Sequence, residues 1–232
     1  MTLTDLFTVI ASIAKQSSAG TWIAASRRAL LAMTISSSMF SVTALAGEGT
    51  ELLDRFLTET QSMSASFRQT LISEDGFVLQ ESTGTFTLHR PGRFRWDYVT
   101  PYEQKIISDG EDIYIYDVEL DQVTVHPQDK GLSNTPMALM QGSLQLAESF
   151  DVEELDDRDG IYRLKLNSKQ TDSDFDGIIV GVDAKGLRFL QLFDRFQQKT
   201  DIVFDDLRSN IETRDEMFEF TPPDGVDVFR GG

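Results

Sequence analysis

Few residues of this chain are equipped for chemistry. His89 and His126 are the only histidines, and there is no cysteine. Without cysteine there is no thiol nucleophile, no thiolate metal ligand and no disulfide. The chain contains no Gly-x-Ser-x-Gly elbow, no His-Glu-x-x-His helix and no phosphate-binding loop. Its carboxylates are abundant but scattered, so no acid/base pair can be picked from spacing. Catalytic residues are therefore assigned nowhere, and the chain is read as a binding protein, not an enzyme.

One stretch looks like a metal loop. Asp172-Ser173-Asp174-Phe175-Asp176-Gly177 begins as a calcium loop does, and Ile179 falls where an EF-hand wants an apolar residue. The twelfth position is Asp183 in place of the bidentate Glu, and the flanks read as strands. A solvated hairpin loop is the better expectation, with no metal and no cofactor.

That leaves a cation at a turn. In Arg90-Pro91-Gly92, Pro91 fixes φ and Gly92 is free to take a positive φ. The flanks alternate. Phe86 and Leu88 lead in on one face; Phe94, Trp96 and Tyr98 follow on one face, opposite Arg93, Arg95 and Asp97. A period of two predicts a hairpin with one apolar, aromatic face, and Arg90 at its rim.

The remaining elements must position that hairpin. Leu52, Leu53, Phe56 and Leu57 have helical spacing, which predicts an amphipathic helix from an N-cap at Thr50 to about Gln61. From Met63 the period is two, with a turn at Glu74-Asp75-Gly76 and a bulge or bend at Gly84. Strands are predicted at 103–108, 112–117 and 122–126. Lys130 to Ser149 then breaks the pattern. Pro136 suits the first turn of a helix bearing Met137, Leu139 and Met140, and a second short helix is expected after Gly142. Such an insert fits a mobile lid and a fixed plug equally well. Further strands are predicted at 152–155, 161–166, 177–182, 187–194, 200–206 and 217–220. The total is about eleven strands in a meander, which suggests a sandwich or barrel.

Composition bounds the rest. Hydrophobic residues make up 40% of 232, which suits one globular domain. The net charge of −17 repels nucleic acid, so no nucleic-acid partner is expected. Residues 1–46 read as a signal peptide with an N-terminal extension. Arg27-Arg28 precedes the apolar stretch from Ala29 to Val42, and Ala44-Leu45-Ala46 is a small-x-small cleavage site. Ordinary secretion is expected over twin-arginine export. The domain is then 47–232, exported, and not itself lipidated because it lacks cysteine.

The aromatic face admits two readings. Alternation alone favours ordinary core for Phe86, Phe94 and Trp96. The 16 phenylalanines, and the few short helices available to cover so much sheet, favour an apolar cavity instead. A cavity of that kind suits acyl chains, which need burial but no hydrogen bonds.

Arg90-Pro91-Gly92-Arg93-Phe94-Arg95-Trp96, Pro101, Gln104 and Ser108-Asp109-Gly110 together resemble the LolA family of periplasmic lipoprotein carriers. Asn134-Thr135-Pro136 and Phe218-Glu219-Phe220-Thr221-Pro222-Pro223-Asp224-Gly225-Val226 follow in the family's order. The resemblance runs from about Leu52 to Val228. It implies a mainly β fold, an incomplete, unclosed antiparallel β-barrel with a helical lid, in a monomer of the Gram-negative periplasm. It implies that acylated lipoproteins are accepted from the inner-membrane ABC transporter LolCDE and delivered to the outer-membrane receptor LolB. Phe86, Phe94, Trp96, Met137, Leu139 and Met140 would line the acyl cavity and its mouth, and Arg90 would latch the lid through backbone carbonyls. Gly92 and Arg93 depart from the commonest family choices at the turn. The alternative is a lipoprotein-sensing regulatory domain of similar fold.

Overall fold

The computed structural model describes residues 47–128, 140, 146–169 and 175–231. Among them, α1 spans Glu48–Glu59 and α2 spans Leu146–Ser149. The strands are β1 (Ser62–Ile72), β2 (Val78–His89), β3 (Arg93–Thr100), β4 (Gln104–Asp109), β5 (Asp112–Asp117) and β6 (Gln122–Pro127). They continue as β7 (Phe150–Glu154), β8 (Tyr162–Ser168), β9 (Phe175–Asp183), β10 (Gly186–Asp194), β11 (Lys199–Ser209) and β12 (Asp227–Arg230). All belong to one sheet in the order β12-β6-β5-β4-β3-β2-β1-β11-β10-β9-β8-β7. β12 and β7 stand at its two edges, so the barrel is unclosed.

The interior is built by alternation. Met63, Phe67, Phe86, Leu88, Phe94, Trp96, Ile106, Ile113 and Ile115 from the first half of the sheet are buried together with Leu164, Val180, Leu190, Ile202 and Phe204 from the second. α1 closes over the second half. Its Leu53 and Phe56 join the same cluster, and it packs on β8, β9 and β10. The close fit requires Gly49, since a Cβ there would lie 2.7 Å from Cβ of Tyr162.

The expected bend falls at Gly84. The β2–β3 register shifts between Thr83 and Gly84. A Cβ on Gly84 would sit 1.9 Å from the Asp97 carbonyl oxygen and 2.8 Å from the Phe67 ring. Only glycine allows the strands to approach there.

Four expectations are corrected. α1 starts at Glu48 with Gly47 as N-cap, and Thr50 lies inside it. The free N-terminal amides are served from a distance: Thr50 N–H and Oγ1–H both donate to Glu154 Oε1, at 2.7 and 2.8 Å. A carboxylate at the end of β7 does what the local cap was expected to do, and it suits the helix dipole. Residues 217–220 are not a strand. Asp215–Met217 is a turn of 3₁₀ helix, and Phe218 is buried by packing outward against β-strand residues. The His89 ring lies 6.2 Å from Phe218, and the Arg93 guanidinium 5.7 Å. Phe220 meets Tyr114 and Tyr116 on the same outer face. These apolar residues alternate like a strand because they cover one. β12 was unexpected, and its pairing with β6 is parallel, so the sheet has twelve strands and is not wholly antiparallel.

Candidate functional site

Gly92 adopts φ 75°, as the Arg90-Pro91-Gly92 turn requires. Arg90 N–H donates to Gln61 O at 2.8 Å, which pins the turn against the exit of α1. The side chain then runs inward and is only 8% exposed. Its Nε donates to Met140 O at 2.8 Å. Its Nη1 donates to Thr60 O at 2.7 Å and also to Leu57 O. One guanidinium therefore holds the C-terminal carbonyls of α1 and the backbone of Met140 together.

Among the described residues no carboxylate pairs with Arg90, and the ion pairs present lie elsewhere and involve other cations. Burial alone lowers the Arg90 pKa from its ordinary value. The group stays charged, because arginine starts so high. Nη2 is buried and has no hydrogen-bond partner among the described residues. Burying an ion costs several kcal/mol, and each hydrogen bond from a charged donor returns about 1.5–3 kcal/mol. The hydrogen bonds offset that cost. Carbonyls at a helix end also lie on the negative side of the helix dipole, which favours a cation there. The contact is a clasp that joins two segments through one guanidinium of fixed geometry.

Phe86 and Trp96 lie beneath the clasp, with ring centroids 4.8 Å apart. Trp96 also meets Phe67 at 4.9 Å and Phe204 at 6.2 Å. Phe94 is nearer the Arg90 end of β3 and sits opposite Leu88 and Ser108. All three proposed aromatic liners are thus brought to one apolar interior, 0–2% exposed. Met140 joins the same cluster. Met137, Leu139 and the proposed helix start at Pro136 lie outside the described residues, as do most of the calcium-like loop and the N-terminal segment.

Sequence reasoning did not foresee that Arg90 grips α1 as well as Met140. The available signal was the end of the apolar stripe at Leu57, where helix carbonyls must find donors. It also missed Gln69, whose Oε1 accepts a 2.9 Å hydrogen bond from the Tyr98 hydroxyl inside the barrel. Burial raises the Tyr98 pKa well above its ordinary value. Among the described residues, no group of His, Asp or Glu is placed to hold a metal ion, and no helix is long and apolar enough to cross a membrane.

Residues 58–221 match the family model described as "Outer membrane lipoprotein carrier protein LolA". An outer-membrane lipoprotein carrier protein of Methylococcus capsulatus is 39% identical over 177 residues, 76% of this chain and 85% of the relative. One from Nitrosomonas europaea is 36% identical over 179 residues, 77% of this chain and 87% of the relative. Among solved structures, a LolA superfamily protein from Nitrosomonas europaea superposes with a TM-score of 0.44 at 11% identity, covering 73% of this chain and 95% of that one.

Proposed function

Since the chain belongs to the LolA family of outer membrane lipoprotein carrier proteins, we propose that it carries acylated lipoproteins through the periplasm in the way the Arg90 clasp suggests. Cargo is accepted from the inner-membrane transporter LolCDE and released to the outer-membrane receptor LolB. The acyl chains enter the apolar interior lined by Phe86, Phe94, Trp96 and Met140, together with Met137 and Leu139. The carrier acts as a monomer and performs no covalent chemistry. It reaches the periplasm through a signal peptide cleaved near Ala46.

The observation that carries this reading is the clasp itself. Arg90 bonds to carbonyls of two separate segments, at Thr60 and at Met140, at the end of the strands that bury Phe94, Trp96 and Phe86. Opening it exchanges carbonyl acceptors for water, a near-balanced step. Acyl burial at about 0.8 kcal/mol per methylene is then enough to hold the open form. A receptor offering a comparable apolar surface can take the cargo back out, and closure of the clasp follows. Neither transfer requires nucleotide on this chain.

The test is native mass spectrometry of the protein with a triacylated lipoprotein and with its non-acylated form. A 1:1 complex with the acylated form alone is expected. Binding of neither form, or equal binding of both, would sink the carrier reading. Arg90→Leu is expected to load cargo but to release it poorly to the receptor.

A further inference from the structure

The buried side chains are not apolar from end to end. Moving along β3 from Phe94 through Trp96, the inward face reaches Tyr98, which is 5% exposed and bonded to Gln69. Tyr98 sits opposite Gln104 on β4, and Gln104 opposite Asp117 on β5. Gln69 sits opposite Ser82 on β2. Gln69, Ser82, Gln104 and Asp117 are each 2–8% exposed. Asp117 accepts from Leu120 N–H at 3.1 Å, and Ser82 Oγ is bonded to Gln80 at 3.1 Å. Beyond this layer, Leu71 is buried but falls outside the contiguous apolar cluster. The apolar slab therefore has two polar boundaries, the Arg90 clasp at one end and this side-chain layer at the other.

We propose that the layer of Gln69, Ser82, Tyr98, Gln104 and Asp117 is the floor of the acyl site and sets how deep, and so how long, a chain the protein takes. The inference rests on the carrier reading. A methylene gains by leaving water only if its new neighbours are apolar. A chain tip pressed against buried, hydrogen-bonded side chains gains little, and displacing those groups from their partners costs more than it returns. The layer is also fixed differently from the clasp. Tyr98 and Gln69 belong to continuous strands of one sheet, joined through β2, so the floor cannot swing aside as two separate segments can. From Phe94 to Tyr98 the strand rises about 13 Å. That matches an extended chain of roughly ten carbons with zigzag C–C bonds of about 1.5 Å.

The experiment titrates the protein with one lipopeptide sequence bearing a single acyl chain, lengthened stepwise from about six to about eighteen carbons, and reads Kd. Below the floor's depth, each added methylene should tighten binding about fourfold. Near ten carbons the gain should stop. Replacing both partners removes the polar layer's central bond without leaving either group unpaired, so Gln69→Leu with Tyr98→Phe should move the plateau to longer chains. Tyr98→Phe alone leaves the Gln69 amide in the layer and should move it less. Affinity that rises through the whole series in the unaltered protein would overturn the floor. So would a plateau that neither variant moves. Should no lipopeptide bind at any length, or the non-acylated peptide bind as well, the carrier reading itself fails and the floor with it.

Discussion

The two ends of the barrel bury polar groups by opposite means. At one end a single charged side chain reaches the backbone carbonyls of Leu57, Thr60 and Met140, which belong to segments outside the sheet. At the other end neutral side chains meet between strands of the sheet, as Tyr98 meets Gln69. The first arrangement can come apart without disturbing a strand. The second cannot, because each partner is held by a ladder of main-chain hydrogen bonds. In the proposed carrier cycle, where polar groups are attached, more than how many there are, decides which end opens.

The largest effect should come from deforming the fixed end. Gly84→Ala forces a Cβ into the Asp97 carbonyl, a backbone atom that cannot rotate away. The cost should be about 3 kcal/mol, seen as a fall in Tm of about 10 °C. A smaller fall would mean that the fixed end yields more readily than its strand pairing implies.

Breaking the clasp should cost less. Arg90→Leu leaves the Thr60 and Met140 carbonyls without their donor and should destabilise by about 2 kcal/mol in denaturant unfolding. Amide exchange should quicken at α1's C-terminal turn and stay slow at Gln69 and Tyr98. Arg90→Lys should not restore the wild-type value, since an ammonium cannot reach several carbonyls in the guanidinium's fixed geometry.

Glu154→Ala removes the remote cap of α1, and with it the hydrogen bonds to Thr50. A loss of about 0.5–1 kcal/mol is expected, read by the same unfolding titration. Because the cap lies at the far end of α1 from Arg90, the two losses should add in the double variant.

The smallest effect should be a pH dependence. His126 on β6 lies against Gly231 just beyond β12, and burial lowers its pKa from the ordinary value. The unfolded chain therefore binds the proton more readily than the folded one. The stability this represents is fully present above about pH 6.5 and is lost as pH falls through the folded value. Unfolding followed from pH 7.5 down to pH 5 should show it, and His126→Gln should flatten that part of the profile.

Much of this was legible beforehand. Alternation placed Phe86, Phe94 and Trp96 on one face, because a half-buried strand enforces a period of two. Gly84 announced the bulge, because an isolated glycine within a strand has few other reasons to be there. Arg90 could be singled out as a candidate, and its resemblance to a family arginine gave it a role. Its partners on α1 were only half legible: the end of the apolar stripe at Leu57 marks carbonyls that need donors, but no letter in the sequence says which side chain reaches them. Glu154 and Thr50 are 104 residues apart, so no local rule joins them. Phe218 and Phe220 misled because apolar alternation marks a segment that covers a sheet as well as one that belongs to it. The Gln69–Tyr98 bond was hidden for a related reason: Gln69 alternates with its apolar neighbours, and only the fold shows which hydroxyl it meets.

Amide hydrogen exchange on the empty and the acyl-lipopeptide-loaded protein tests the contrast between the two ends most directly. The amides to follow are Thr60 N–H, bonded to Phe56 O, and Arg90 N–H, bonded to Gln61 O, against those of Gln69 and Tyr98. Loading should quicken exchange at Thr60 and Arg90 and leave Gln69 and Tyr98 unchanged. Unchanged exchange at Thr60 and Arg90, with loss of protection at Gln69 and Tyr98, would contradict it: the chains would then enter through the end taken here as the floor.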